Sequence, residues 1–312
     1  MSDERKPAIG IVGLGQLGLP VATNLLQAGY AVAGYRRSSL QAFVDIGGKA
    51  LASPFEVAQQ SDILILCLPD EAASQQVLQG PQGILGALKP DQIVLETGTY
   101  RKAFKLEQAE ILRSHGARPL EVEVSGSPPM VAAHKASLYV GGDAALLEAC
   151  RPVLQAISPA VNHLGEYGSA VAMKLIANYL LTIHTLAAAE AMNMGARAGF
   201  DPQLVARVIQ QGAGGSAMFG VRAPLMATRS FRPAPGPFST LEKYLRLGRA
   251  MADELGCATP LFSAAEPYFK RGLEPDMRDE DIAAVIRLIE AQSHSPETPA
   301  VGADAASTGS KP

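Results

Sequence analysis

The sequence predicts an amino-terminal α/β domain and a carboxy-terminal all-α domain that are linked by one long helix. Three observations lead to this prediction. Short apolar runs alternate with amphipathic stretches over about the first 145 residues, a stretch of 26 residues without Gly or Pro begins at Ser169, and only helical patterns follow it. The chain of 312 residues is also long enough for two domains, since a domain has roughly 100–200 residues.

The first domain, residues 1–164, is predicted to contain a parallel sheet with helices on both faces. Apolar runs of strand length lie at residues 8–12, 31–35, 63–68 and 93–96, and runs at 120–125 and 136–140 could extend the sheet. Helical patterns between them cover residues 20–28, 41–45, 55–59 and 103–115. Strands that alternate with helices at this spacing are typical of parallel sheets, because each connecting helix crosses a face of the sheet.

The second domain, residues 165–292, is predicted to be helical. Its first helix, residues 169–194, is apolar on nearly all sides, so we expect it to be buried inside the domain or against a second subunit. Further helical patterns cover residues 202–211, 241–255, 260–271 and 281–292. Residues 293–312 are small, polar and rich in Pro, which predicts a disordered tail.

Composition argues against several classes of protein. The net charge of -3 provides no basic excess for a nucleic-acid partner. The first residues do not resemble a signal peptide, and no uninterrupted apolar run approaches about 18 residues, so we expect no membrane span. The 3 cysteines are far apart in the sequence, which favours a reducing cytoplasm over a disulfide framework. The 5 histidines have no metal-ligand spacing, so no metal site is predicted.

A glycine-rich motif follows the first predicted strand and precedes a helical pattern. It reads Gly13-Leu14-Gly15-Gln16-Leu17-Gly18, which in this context is the dinucleotide fingerprint of a Rossmann-type domain. The first glycine permits the tight turn, the second lets a pyrophosphate approach the backbone, and the third lets helix and strand pack closely. We therefore predict that Gly13, Gly15, Gln16, Leu17 and Gly18 bind a nicotinamide dinucleotide at the start of the helix.

The end of the second strand bears on which dinucleotide is bound. Arg36, Arg37 and Ser38 stand where an NAD-preferring site has an Asp or Glu for the ribose hydroxyl. Guanidinium groups and a hydroxyl suit a 2′-phosphate, so the sequence favours NADP(H) over NAD(H). The alternative is a solvated loop with ordinary surface arginines.

One lysine stands out in the long apolar helix. Lys174 is the only Lys or Arg between residues 169 and 194, and Asn178 lies four residues on, on the same helix face. A lysine among apolar side chains has a lowered pKa and is suited to proton transfer near neutral pH. Alternatively, its ammonium group extends to the surface from a half-exposed helix.

With these motifs in order, the chain resembles the β-hydroxyacid dehydrogenase family, which includes 3-hydroxyisobutyrate dehydrogenase, tartronate semialdehyde reductase and L-threonate dehydrogenase. The resemblance covers roughly residues 8–290 and implies hydride transfer between a nicotinamide and a small β-hydroxyacid or its semialdehyde. It rests on the glycine motif and on Cys67-Leu68-Pro69-Asp70, Val124-Ser125-Gly126, Val140-Gly141-Gly142-Asp143, Gly168-x-Ala170-x-x-x-Lys174-Leu175-x-x-Asn178, Ala189-Glu190-Ala191-Met192-Asn193 and Gly199-Phe200-Asp201.

The resemblance implies a role for individual residues. Lys174 would protonate the substrate oxygen, and Asn178 would orient the same region. Other positions that match the family are assigned to the substrate carboxylate (Ser125, Gly126, Ser127), to the cofactor (Leu68, Pro69, Thr99), and to both nicotinamide and substrate (Lys243). The simpler interpretations are a turn at Ser125, a strand-ending Thr99 and a solvent-facing Lys243.

Four departures from the family pattern lie around the expected substrate pocket. Glu121-Val122-Glu123 stands for Asp-Ala-Pro, Gly98 for a serine, Ser127 for a glycine and Tyr244 for an aspartate. The sequence therefore names a reaction class without naming the substrate. Two alternatives are an imine reductase, against which Lys174 argues, and a non-catalytic NADPH-binding protein. The apolar helix also predicts a homodimer or homotetramer.

Overall fold

The computed structural model describes residues 5–293. They form an amino-terminal part with one sheet and helices, followed by a helical part. The amino-terminal part contains β1 (Ile9–Val12), α1 (Gly18–Gln27), β2 (Val32–Tyr35), α2 (Gln41–Asp45), β3 (Lys49–Ala50), α3 (Pro54–Gln60), β4 (Ile63–Leu66), α4 (Glu71–Gln79), β5 (Ile93–Glu96), α5 (Lys102–Ser114), β6 (Arg118–Ser125), α6 (Pro128–Ala132), β7 (Ser137–Gly141), α7 (Ala144–Ile157) and β8 (Ala160–His163). The carboxy-terminal part contains α8 (Ser169–Arg197), α9 (Pro202–Gln210), α10 (Ala217–Thr228), α11 (Phe238–Glu254), α12 (Pro260–Arg271) and α13 (Ile286–Gln292). The predicted fold class, a Rossmann-type α/β domain followed by an all-α domain, is confirmed. Of the predicted tail, only Ser293 lies within the described residues.

The strands form one sheet in the order β3-β2-β1-β4-β5-β6-β7-β8. Every neighbouring pair is parallel except β6 and β7, which are antiparallel. The prediction of a parallel sheet is therefore wrong for the pair β6–β7. Only residues 126–136 connect the two strands, and a parallel crossover usually needs a dozen residues or more.

The strand order reverses between β1 and β4, and both strands are fully buried. Helices α1 and α7 cover one face of the sheet in one apolar core, whereas α3, α4 and α5 cover the other face. In sheets of this kind ligands bind outside the carboxyl ends of the strands at such a reversal. The fold therefore places a binding cleft beside the glycine-rich motif.

Helix α8 is the centre of the second part and is three residues longer than predicted. It packs against α9, α10, α11, α12 and α13, and its beginning contacts β6 and β7. With a mean hydropathy of 1.3 over its most apolar window, it is long and apolar enough to cross a membrane by composition alone. The core helix of a helical domain has the same composition, and these contacts give α8 that place. A stripe of apolar side chains nevertheless stays exposed on it: Met173, Ile176, Leu180 and Met194.

A buried ion pair holds the helical part together. The guanidinium of Arg222 on α10 donates to the carboxylate of Asp281, which is fully buried. The same carboxylate accepts from the backbone N–H of Gly236 at 3.0 Å and of Ala283 at 2.9 Å. Asp281 thus joins three segments, and water cannot replace it.

We expect the substitution Asp281→Ala to lower the free energy of unfolding by about 3–5 kcal/mol, because it leaves an unpaired buried guanidinium. Urea denaturation measures this loss. Asp276→Ala, which removes the surface partner of Arg271, is the control and should leave the midpoint nearly unchanged. Equal effects of the two substitutions would contradict the role given to the buried pair.

Candidate active site

A cleft of about 880 Å³ lies at the carboxyl ends of the central strands and is closed on one side by α8 and α11. Its walls carry five cationic side chains and two carboxylates, Asp70 and Glu123. Asp70 caps α4 by accepting from the N–H of Ala73 at 2.8 Å. An excess of positive charge in a concave site attracts anionic ligands. The cations are Arg36, Arg37, Lys174, Lys243 and Arg246.

The glycine-rich motif lines one end of the cleft. Gly13 has a φ of +103°, and a Cβ there would meet the carbonyl of Cys67, while a Cβ at Gly18 would meet the carbonyl of Gly13. A Cβ at Gly15 would meet nothing within 4 Å. Helix α1 begins without a side-chain cap, so its first N–H groups are available to a ligand. The loop therefore has no room for side chains at Gly13 and Gly18 but leaves open space at Gly15. This open side fits the pyrophosphate of a dinucleotide.

The end of β2 supplies the cationic side chains next to this loop. Arg36 is half-buried and its Nη1 donates to the carbonyl of Leu14 at 2.9 Å, whereas Arg37 and Ser38 are exposed. All three line the cleft together with the glycine loop. The hydrogen bond to Leu14 therefore holds the Arg36 guanidinium against the glycine loop. Among the described residues, no carboxylate lines the cleft at this end of β2.

Lys174 enters the cleft from α8. Only 8% of the residue is exposed, and its Nζ donates to the carbonyl of Val124 near the end of β6. Burial lowers the pKa of Lys174 to about 8, with the charge of Lys243 lowering it further and that of Glu123 opposing the shift. A lysine with this pKa exchanges a proton close to neutral pH.

Lys243 and Tyr244 enter from α11. The Nζ of Lys243 donates to the carbonyl of Pro69 at 3.1 Å, so it spans the cleft between the two parts of the molecule; burial lowers its pKa. The Tyr244 ring lies 5.7 Å from the Nζ of Lys174 and 5.4 Å from that of Lys243. An aromatic ring therefore contacts both ammonium groups where the family has an aspartate.

Four of the predicted site residues are not brought into the cleft. Asn178 is half-buried, and its Nδ2 donates to the backbone carbonyl of Lys174 at 2.9 Å, within the helix. Ser125, Gly126 and Ser127 lie at the end of β6 and before α6, next to the strand position that Lys174 contacts. Among the described residues, these four do not line the cleft, whereas the predicted cofactor residues, Lys174 and Lys243 do. Their substrate roles stay predictions.

Two sequence profiles match the chain in succession. Residues 8–165 match the NAD binding domain of 6-phosphogluconate dehydrogenase, and residues 168–289 match the profile described as NAD-binding of NADP-dependent 3-hydroxyisobutyrate dehydrogenase. The first of these alone covers about half of the chain. The chain belongs to the β-hydroxyacid dehydrogenase family. It is an NAD(P)-dependent oxidoreductase that acts on CH–OH groups.

Individual relatives agree with this. The dehydrogenase is 32% identical over 286 residues to the L-threonate dehydrogenase of Cupriavidus necator, covering 90% of this chain and 95% of the relative. It is 35% identical over 284 residues to an uncharacterized oxidoreductase of Synechocystis sp., covering 89% and 97%. A structure of Mycobacterium tuberculosis 3-hydroxyisobutyrate dehydrogenase with L-serine superimposes with a TM-score of 0.82 at 26% identity, covering 91% and 99%.

The dehydrogenase also contains a buried charge cluster that the sequence did not reveal. The Nζ of Lys105 on α5 lies 2.7 Å from Glu96, 2.7 Å from Glu123 and 3.2 Å from Glu121, and it donates to the carbonyl of Gly98 at 2.7 Å. Burial opposes the charge of Lys105, but the three carboxylates outweigh it and hold its pKa well above the usual value. Burial also raises the pKa of Glu96 to about 7, against the attraction of Lys105.

A signal for this cluster was present in β6. Glu121 and Glu123 alternate with valine in an otherwise apolar strand, and residues two apart in a strand face the same side. Two buried carboxylates on one face require a cation. The sequence offered no way to tell which lysine supplies it, because Lys105 lies on a helix with ordinary amphipathic patterning.

The cluster borders the cleft at Glu123 and at its hydrogen-bond partner Thr99. The Thr99 hydroxyl donates to Glu123 at 2.6 Å, so its only proton is used and it presents lone pairs to the cleft. At Gly98, a Cβ would collide with the phenol of Tyr100, whose hydroxyl donates to the carbonyl of Leu68 at 3.1 Å. Tyr100 thus fills the space that a side chain at position 98 would need.

Proposed function

We propose that the protein reduces the semialdehyde of a small β-hydroxyacid, and oxidises the β-hydroxyacid in the reverse direction, with NADP(H) as the preferred cofactor. The observation that carries this proposal is the buried Lys174, whose lowered pKa and place in the cleft suit a general acid. The glycine loop lies at the other end of the same cleft. Names of relatives such as L-threonate dehydrogenase support a hydroxyacid substrate.

The chain's own groups divide the work as follows. A dinucleotide held by the glycine loop would supply the hydride for the carbonyl carbon of the substrate. The Nζ of Lys174 donates a proton to the substrate oxygen during reduction and accepts it during oxidation. The ammonium of Lys243 attracts the substrate's anionic group, with Ser125, Gly126 and Ser127 as the proposed carboxylate contacts. Asn178 is proposed to hydrogen-bond and orient the same region of the substrate.

We expect Lys174→Met to bind NADPH normally but to lose about 10²–10⁴-fold of kcat, since this is the usual contribution of general acid catalysis. In the wild type, kcat for reduction should fall as pH rises through about 8, because only the ammonium form can donate, whereas kcat for oxidation should rise. The rate of NADPH oxidation across a panel of semialdehydes measures kcat and its pH dependence. Titration of the cofactor's fluorescence measures NADPH binding.

Lys49→Met, at an exposed lysine of β3, is the matched control and should leave kcat unchanged. A Lys174→Met enzyme that keeps roughly a third or more of the wild-type kcat would remove Lys174 from the mechanism. Absence of turnover by the wild type across the whole panel would instead favour a non-catalytic NADPH-binding protein.

The preference for NADPH rests on the end of β2. Each charge-assisted hydrogen bond to a 2′-phosphate contributes on the order of 1.5–3 kcal/mol, so kcat/KM with NADPH should exceed that with NADH about tenfold or more. Arg36→Asp combined with Arg37→Ala should reverse the order by adding a carboxylate and removing the attraction. Steady-state kinetics with both cofactors tests this, with Arg207→Ala, at an exposed arginine of α9, as the control. Equal use of NADH and NADPH by the wild type would show that the two arginines are surface residues.

We also propose a homodimer or homotetramer assembled through the exposed apolar stripe of α8 (Met173, Ile176, Leu180, Met194), in a cytoplasmic location without nucleic-acid or membrane partners. An obligate dimer buries above about 2,000 Å², and α8 offers an uncovered apolar face along much of its length. Light scattering should report an oligomer for the wild type at micromolar concentration and a smaller species for Ile176→Glu with Leu180→Glu. A stable wild-type monomer would contradict the proposal.

A further inference from the structure

Strand β6 contacts helix α8 at two points, one at the start of the helix and one at the end of the Lys174 side chain. The carboxylate of Glu121 accepts from the N–H groups of Gly168 at 2.7 Å, Ala170 at 3.0 Å and Val171 at 3.1 Å. Three residues further along the strand, the carbonyl of Val124 accepts from the Nζ of Lys174. The first contact fixes the start of the helix, and the second fixes the end of the side chain.

Glu121 takes the place of a cap that α8 does not have. Gly168, the residue before the helix, has a φ of +95° and no side chain with which to cap the first turn. Since Glu121 is fully buried, water cannot take over as acceptor if the carboxylate is lost. The unsatisfied N–H groups at the start of a helix must then find another partner or the turn must open.

The register of α8 passes this constraint to Lys174. Ala170 and Val171 lie four and three residues before Lys174, so they precede it by one turn on the same face of the helix. Lys105, at 3.2 Å from Glu121, supplies the counter charge and binds Glu123 in the cleft wall with the same ammonium. One cation therefore holds both the helix cap and the wall that Lys174 faces.

We propose that Glu121, with Lys105 as its counter-ion, is a positioning residue for proton transfer: its carboxylate fixes the first turn of α8 so that Lys174 stays buried against the end of β6. This rests on the proposed role of Lys174. The contact acts through the backbone of α8, and Glu121 itself does not line the cleft in the described residues.

The test variant is Glu121→Gln, which keeps the size of the side chain but turns an NH₂ group towards N–H donors or the Lys105 ammonium. We expect kcat on the active semialdehyde to fall about tenfold or more, since small displacements of a catalytic group are costly, while the Kd for NADPH changes less than about twofold. Burial is the main cause of the low pKa of Lys174. A loosened first turn hydrates the ammonium, so the midpoint of the kcat–pH profile should rise above about 8.

Asp143→Ala is the control at a second helix cap. Asp143 caps α7 in the same domain by accepting from the N–H of Leu146 at 2.6 Å, and α7 does not line the cleft in the described residues. This variant should lose thermal stability because it removes the cap, while kcat and the pH midpoint remain those of the wild type. If Glu121→Gln leaves kcat within about twofold and the midpoint unchanged, the proposal is wrong.

Hydrogen exchange followed by mass spectrometry gives a readout that does not need activity. Glu121→Gln should speed exchange in residues 168–174 by about tenfold or more, as expected when a local opening becomes easier, whereas Asp143→Ala should affect residues 144–147 only. Unchanged protection of residues 168–174 would overturn the proposal. If Glu121→Gln does not fold, Glu121→Asp, which keeps the charge one methylene short, is expected to show the same pattern, and wild-type kinetics and exchange from it would likewise overturn the proposal. An inactive wild type would refute the proposed function while exchange still decides on the cap.

Discussion

The ammonium of Lys105 is the interaction on which the site depends. It is buried among three carboxylates, which come from the neighbouring strands β5 and β6. Without this cation, Glu96, Glu121 and Glu123 would be three mutually repelling groups in an apolar interior, where the desolvation of a single unpaired charge is already costly. The glutamates in turn order what surrounds them: Glu96 accepts from the N–H of Gly98 at 2.6 Å, Glu121 caps α8, and Glu123 accepts from Thr99. An almost fully buried cluster, which borders the cleft at Glu123, therefore sets the shape of the cleft wall.

The cofactor loop and the proposed proton donor, Lys174, therefore lie in separate parts of the cleft with different dielectric environments. At the glycine loop, backbone N–H groups, the half-buried Arg36 and the exposed Arg37 line a part of the cleft that is open to water, so the charges there stay partly solvated. Around Lys174 the surroundings are apolar, and the same kind of charge is destabilised until its pKa approaches neutrality. Lys243 links the two regions, since it reaches from the helical part to the carbonyl of Pro69. Entry and exit of a dinucleotide between the two parts of the molecule must accommodate this contact.

Much of the fold was predictable because local patterns and the global fold agree. The run at residues 93–96 was predicted with the bounds that β5 has, and the long helix with its first residue, since apolar runs and the absence of Gly and Pro are local signals. Several elements escaped prediction. Strand β3 has two exposed residues and so no apolar run, and α7 contains Pro152 within its helical pattern. The antiparallel β6–β7 pair is decided by the length of a connection rather than by strand composition.

Those parts of the site that a short stretch of contiguous residues forms were predictable from the sequence. The glycine loop and the single lysine of α8 are such cases, and both line the cleft. Asn178 shares a helix face with Lys174, as the sequence predicts, and its Nδ2 donates to the backbone carbonyl of Lys174; its role in the site stays a prediction. Lys105 could not be found at all from spacing, because its partners lie on two strands that only the folded sheet brings together.

The close packing of the Tyr100 phenol against Gly98 has a consequence for how substitutions at these two positions combine. A side chain at position 98 and a phenol at position 100 compete for one volume, and the Tyr100 hydroxyl is already tied to the carbonyl of Leu68. A serine at position 98 clashes with the phenol unless the ring moves, and removing the ring alone leaves a void in a packed wall. Substitutions at the two positions are therefore not additive: the cost of a larger side chain at position 98 depends on which residue occupies position 100.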